Sequence, residues 1–80
     1  MEKTLKIGDK VIWWGGWGKD VPQETTIERI ELTPSEGCKY GKPTSKATQK
    51  NYRRCVFDLI NGHCCYGYQV DWEKSIKLNF

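Results

Sequence analysis

Cys55-Val-Phe-Asp-Leu-Ile-Asn-Gly-His-Cys-Cys-Tyr-Gly-Tyr-Gln-Val70 holds two β-prone runs on either side of Asn61-Gly62. A two-residue Asn-Gly loop is a strong local hairpin signal. Both of its positions need positive φ, which Gly adopts freely and Asn tolerates. Pairing Ile60 with His63 sets Leu59 opposite Cys64, Phe57 opposite Tyr66 and Cys55 opposite Tyr68. One face then holds Cys55, Phe57, Leu59, Cys64, Tyr66, Tyr68 and Val70. The other holds Arg54, Val56, Asp58, Ile60, His63, Cys65, Gly67 and Gln69. The first face is apolar enough to cover a core, so this stretch predicts a half-buried hairpin in a small β domain.

Upstream, a turn at Gly8-Asp9 precedes a strand from about Lys10 to Trp14, with Val11 and Trp13 on one face and Ile12 and Trp14 on the other. Three glycines and a proline make residues 15–22 a loop. Thr25 to Leu32 satisfies two patterns. Thr25 and Glu28 match a capping box, with Ile27 and Ile30 at helical spacing. The segment is short and rich in β-branched residues, which favours a strand. In a strand Ile27 and Ile30 fall on opposite faces, so a bulge or sharp bend is expected. Residues 33–52 are irregular, punctuated by Pro34, Gly37, Gly41 and Pro43, with one or two helical turns expected from Ser45 to Asn51. After the hairpin, Asp71-Trp-Glu-Lys-Ser reads as a turn or 3-10 segment and Ile76-Lys-Leu78 as a last short strand.

This order predicts one all-β domain over residues 1–80, a small, partly open barrel of about five strands with long first and second loops. Closing the sheet removes exposed edges. The chain resembles the SH3-like barrel group, including KOW, Tudor and related bacterial domains. Ile7-Gly-Asp-Lys-Val11, the Gly-rich loop after the first strand, Val56-x-x-Leu-x-Asn-Gly62 and Trp72 carry the resemblance, which spans about Leu5 to Trp72. It implies a binding module, and only at the level of fold. The acidic run and Trp-Trp pair of eukaryotic signalling SH3 domains are absent, so recognition of proline motifs is not implied.

Eighty residues with ten aromatics, four of them Trp, can fill a core without a staple, because each ring buries a large area. No apolar run is long enough to span a bilayer, and the first residues lack the apolar stretch of a secretory signal, so a cytoplasmic setting is expected. In that setting Cys38, Cys55, Cys64 and Cys65 read as free thiols, the buried ones acting as small hydrophobes. Cys-x-x-Cys is missing and the only His adjoins Cys64, so neither a metal nor a cofactor is assigned. His63 and Cys64 are neighbours on a strand and face opposite ways, so no catalytic residue is assigned either.

Two constellations remain as candidate sites. Lys39, Lys42, Lys46, Lys50, Arg53 and Arg54 lie in one segment, Cys38 to Phe57, that contains no acid. The whole chain carries +3, so the remainder is net negative. With Tyr40 and Tyr52 among them, these cations suit phosphate contacts and base stacking, and nucleic acid or another polyanion is the leading partner class. The second constellation is Trp14, Trp17, Tyr40 and Trp72, which could line an aromatic groove for a peptide or protein. Trp13, Tyr66 and Tyr68 are expected in the core. A monomeric, non-enzymatic interaction module is the reading these residues support.

Overall fold

The computed structural model describes residues 3–15, 21–38 and 40–79. In chain order the strands are β1 (Thr4–Lys6), β2 (Lys10–Trp14), β3 (Pro22–Leu32), β4 (Lys42–Thr44), β5 (Lys46–Thr48), β6 (Cys55–Leu59) and β7 (Cys64–Tyr66). Two 3-10 turns cover Tyr52–Arg54 and Gly67–Gln69, and a helix, α1, covers Trp72–Asn79.

β3 organises the sheet. Its β-branched Thr25, Thr26, Ile27 and Ile30 favour extended backbone, and its eleven residues serve three antiparallel partners. β2 pairs with the first half, from Trp14↔Pro22 to Lys10↔Thr26. β6 takes Ile27 to Leu32, and β4 takes Ile30 to Leu32 on the opposite edge. The register shifts between Ile27 and Arg29, leaving Glu28 as the extra residue of a bulge. That shift lets both isoleucines reach the core, where Ile27 and Ile30 are fully buried. The bulge expected from their spacing is therefore present. β7 extends the sheet beyond β6, giving five antiparallel strands, and β1 and β5 form a separate two-stranded ribbon. An antiparallel bridge from Val70 to Trp13 brings the far end of the sheet back to β2, so the domain is an all-β, partly open barrel.

The hairpin forms one residue out of the expected register. The Leu59 N–H donates to the His63 carbonyl (2.8 Å) and the Gly62 N–H to the Leu59 carbonyl (3.1 Å). The loop is thus Ile60-Asn61-Gly62, with Gly62 at φ +87°. A three-residue loop of this kind needs only one left-handed residue, and glycine supplies it without steric cost. The pairs become Val56↔Tyr66, Phe57↔Cys65 and Asp58↔Cys64. A one-residue slip reverses every side chain beyond it. Cys65 is buried and Cys64 exposed; Tyr66 is half-buried and Tyr68 exposed. The two tyrosines expected in the core instead stack on each other, with ring centroids 5.5 Å apart.

Two further expectations are corrected. Ser45 to Asn51 is not helical: Lys46–Thr48 is β5, and a turn follows in which Asn51 Oδ1 accepts the Thr48 N–H (2.8 Å). Residues 76–78 belong to a helix, not a strand. Asp71 Oδ1 accepts the Lys74 N–H (3.2 Å), capping α1. Asp71, Ser75 and Asn79 then lie along the edge of β2. The Asp71 N–H donates to the Ile12 carbonyl (2.8 Å), Ser75 Oγ accepts the Ile12 N–H (2.8 Å), and the Asn79 amide bonds both the N–H and the carbonyl of Lys10 (3.0 and 2.7 Å). A helix with polar groups every four residues does the work of the missing strand.

All four cysteines are free thiols. Burial pushes the Cys55 thiol up to about 11. The Cys65 thiol rises to about 12, chiefly by burial, with Cys64 and Asp58 adding to it. Both therefore stay protonated and inert at neutral pH. In the native protein at neutral pH, a thiol reagent should modify Cys64 promptly and reach Cys55 and Cys65 only on unfolding. Peptide mass spectrometry after pulsed labelling reads this out, and prompt modification of Cys65 with Cys64 protected would restore the two-residue loop register. Asp71→Ala should lower stability by about 1 kcal/mol through loss of the cap, measured from the denaturation midpoint. An unchanged midpoint would mean that Asp71 does not cap α1.

Candidate nucleic-acid interface

The basic segment is held by contacts that converge on Tyr52–Arg54. At the end of β3, buried Thr33 bonds the Arg54 carbonyl through its backbone N–H (3.0 Å) and again through its hydroxyl. The Arg54 N–H donates to the Asn51 carbonyl (2.9 Å). From the other side, Gly67 packs so closely on the backbone of Tyr52 and Arg53 that a Cβ there would overlap the Tyr52 carbonyl. Finally the Tyr52 ring stacks on Trp72 of α1, with centroids 4.6 Å apart and planes within 17°.

The cations around this turn point outward. Lys42, Lys46, Lys50, Arg53 and Arg54 are all exposed. Lys42 opens β4, Lys46 opens β5, and Lys50 sits in the turn between β5 and the 3-10 segment. Arg53 Nε bonds the Glu36 carboxylate at 2.9 Å. That contact, with a hydrogen bond to Tyr52 behind it, holds the guanidinium pKa still higher than usual. An acid distant in sequence thus neutralises one member of the run. The other ion pairs among the described residues are Lys10–Glu24 and Arg29–Glu31. Lys42, Lys46, Lys50 and Arg54 therefore pair with no described acid. Lys39 lies outside the described residues.

β1 adds a cation that the segment's composition did not suggest. Lys6 pairs directly with Lys46 across the β1–β5 ribbon, and both are exposed. Thr4-Leu5-Lys6 and Lys46-Ala47-Thr48 each alternate polar and apolar residues, which is the relevant signal. Three residues are too few for that alternation to stand out from chance.

The described members of the aromatic constellation are not brought together. Trp72 is buried at 8 % exposure and belongs to the core with Tyr52 against it, so it cannot wall an open groove. Trp14 is half-buried and pairs with Pro22 at the start of β3. Tyr40 is exposed and lies two residues before Lys42, which pairs with Leu32 at the other end of that strand. Trp17 lies outside the described residues, as does most of the glycine-rich loop. Tyr52, expected as a stacking ring for bases, already has Trp72 on one face.

No group of three or more His, Cys, Asp and Glu gathers at one point among the described residues. The His63 ring lies 6.1 Å from the Trp13 ring, tilted by 41°. No described helix is long and apolar enough to cross a membrane. No protein-family model, curated protein or solved structure matches this chain.

Trp72→Ala should destabilise the domain by roughly 3–5 kcal/mol, as truncation of a buried aromatic does, with Trp72→Phe losing less because a ring remains against Tyr52. Chemical denaturation of the two variants measures this. A cost within about 0.5 kcal/mol, typical of a surface position, would return Trp72 to an exposed groove.

Proposed function

We propose that this chain is a non-enzymatic interaction module that binds nucleic acid or a similar polyanion through the surface around residues 42–54. The carrying observation is that Lys42, Lys46, Lys50 and Arg54 are exposed and form no ion pair with a described residue, on a segment fastened to β3, to the second 3-10 turn and to α1. Positive charge on a floppy loop loses ordering entropy on binding, whereas charge on a segment already fixed by hydrogen bonds and stacking loses less. Glu36 tempers this surface by occupying Arg53. The SH3-like resemblance, whose members are mostly binding modules, agrees with this reading. The peptide-groove alternative draws less support, because Trp72 is buried and Trp14 and Tyr40 sit at opposite ends of β3.

Fluorescence anisotropy with short labelled DNA and RNA at several salt concentrations tests the reading. Four phosphate contacts on duplex DNA predict a log–log salt slope of about −3.6. Lys50→Gln and Arg54→Gln should each weaken binding and flatten the slope. Glu36→Gln, which releases Arg53, should strengthen binding and steepen it. Absence of binding at about 50 mM salt, where such contacts are strong, would overturn the proposal.

A further inference from the structure

The β1–β5 ribbon sets Thr4 opposite Thr48, Leu5 opposite Ala47 and Lys6 opposite Lys46. Leu5 and Ala47 are fully buried, so the alternation of a strand turns both lysines and both threonines to the outer face. Like charges directly opposite each other destabilise an antiparallel pair. Among the described residues neither lysine forms an ion pair to relieve this. The acid closest to Lys6 in the chain, Asp9, accepts the Lys6 backbone N–H instead (3.0 Å). The ribbon thus sets two ammonium groups side by side with no described carboxylate paired to either, flanked by two hydroxyl donors, on a surface continuous in sequence with Lys50 and Arg54.

We propose that the outer face of this ribbon contacts the phosphate backbone of duplex nucleic acid, with Lys6 and Lys46 on phosphates and Thr4 and Thr48 beside them. The inference rests on the polyanion-binding reading and narrows it to a duplex. Ammonium and hydroxyl groups are the usual donors to phosphate oxygens, and a two-stranded β-ribbon has the width to enter the major groove. Binding to single strands adds aromatic platforms on which bases stack. Here the ribbon face carries no aromatic residue; of the two rings in the basic segment, Tyr52 is stacked on Trp72 and Tyr40 precedes β4, off the ribbon. Phosphate contacts without stacking favour the partner whose bases are already paired.

The experiment titrates the full chain with a labelled DNA duplex and with its separate strands, over a range of salt, for wild type and variants. The duplex should bind more tightly than either strand. Lys6→Gln and Lys46→Gln should each reduce the salt slope by about 1 and weaken duplex binding roughly fivefold at low salt. Lys74→Gln, the same loss of charge on α1, should leave binding unchanged. Lys6→Glu separates binding from folding. An opposite-charge pair with Lys46 should raise the melting temperature while duplex binding falls. If Lys6→Gln binds like wild type while Lys50→Gln and Arg54→Gln weaken binding, the ribbon is not part of the interface and the polyanion reading stands. Tighter binding of the single strands would overturn the duplex assignment. Absence of binding to either form would overturn both readings.

Discussion

Gly62, held at φ +87°, sets the parity of β7, the strand that follows it. With the left-handed position there, the loop has three residues and Phe57 faces Cys65. Cys65 then joins the core and Tyr66 turns toward the surface, which leaves Gly67 to approach the backbone of Tyr52 and Arg53. The 3-10 turn at Gly67–Gln69 reverses the path, and Val70 arrives against Trp13. Gln69 secures the arrangement, its Oε1 accepting the Tyr66 N–H (2.9 Å) and its Nε2 donating to the Trp14 carbonyl (3.0 Å). Barrel closure and the seating of the basic turn are therefore consequences of one backbone conformation. A side chain at residue 62 would strain that conformation directly.

The second consequence concerns the open side of the barrel. β2 pairs along one edge with β3, while its other edge meets a described strand partner only at the single Trp13–Val70 bridge, and an unpaired edge invites association with other chains. Residues 71–79 cover that edge with Asp71, Ser75 and Asn79, and the same helix presents Trp72 and Ile76 to the core. Trp72 then meets Tyr52. Protection of the edge, completion of the core and immobilisation of the basic segment are thus carried by successive faces of an eight-residue helix. A helix this short is not stable alone and depends on those contacts.

Much of this fold is legible in the sequence, and the unread parts have identifiable physics. The strand at Lys10–Trp14, with Val11 and Trp13 inward, follows from simple alternation. The bulge at Glu28 follows from two isoleucines three apart in a strand that buries both. Asn61-Gly62 locates the hairpin but does not fix its register, because the same dipeptide closes a two-residue loop or ends a three-residue one. That ambiguity accounts for Cys64, Cys65 and Tyr66 being placed on the wrong sides, and the 3-10 turn at Gly67–Gln69 then carries Tyr68. Asp71 does mark a helix start, with Trp72, Ser75 and Ile76 at helical spacing, yet Ile76-Lys-Leu78 alternates like a strand. Tertiary contacts with β2 decide between the two. For the candidate site, the cationic run is visible as composition. The opposition of Lys6 to Lys46 and of Arg53 to Glu36 is not, since each joins residues far apart in the chain.

Charge placement then distinguishes the two halves of the basic surface. At Arg53 the fold supplies a carboxylate, and at Lys10 and Arg29 it does the same. At Lys6 and Lys46 it opposes like with like over a buried Leu5–Ala47 pair. Local choices in a protein usually agree with the fold, and departures concentrate where function outweighs stability. A single acid at either ribbon position would remove the conflict, and the apolar pair beneath would be unaffected. Among the described residues the lysines thus have no ion-pair partner on that face, while a phosphate backbone laid across it would turn the repulsion between them into shared attraction for one anionic partner.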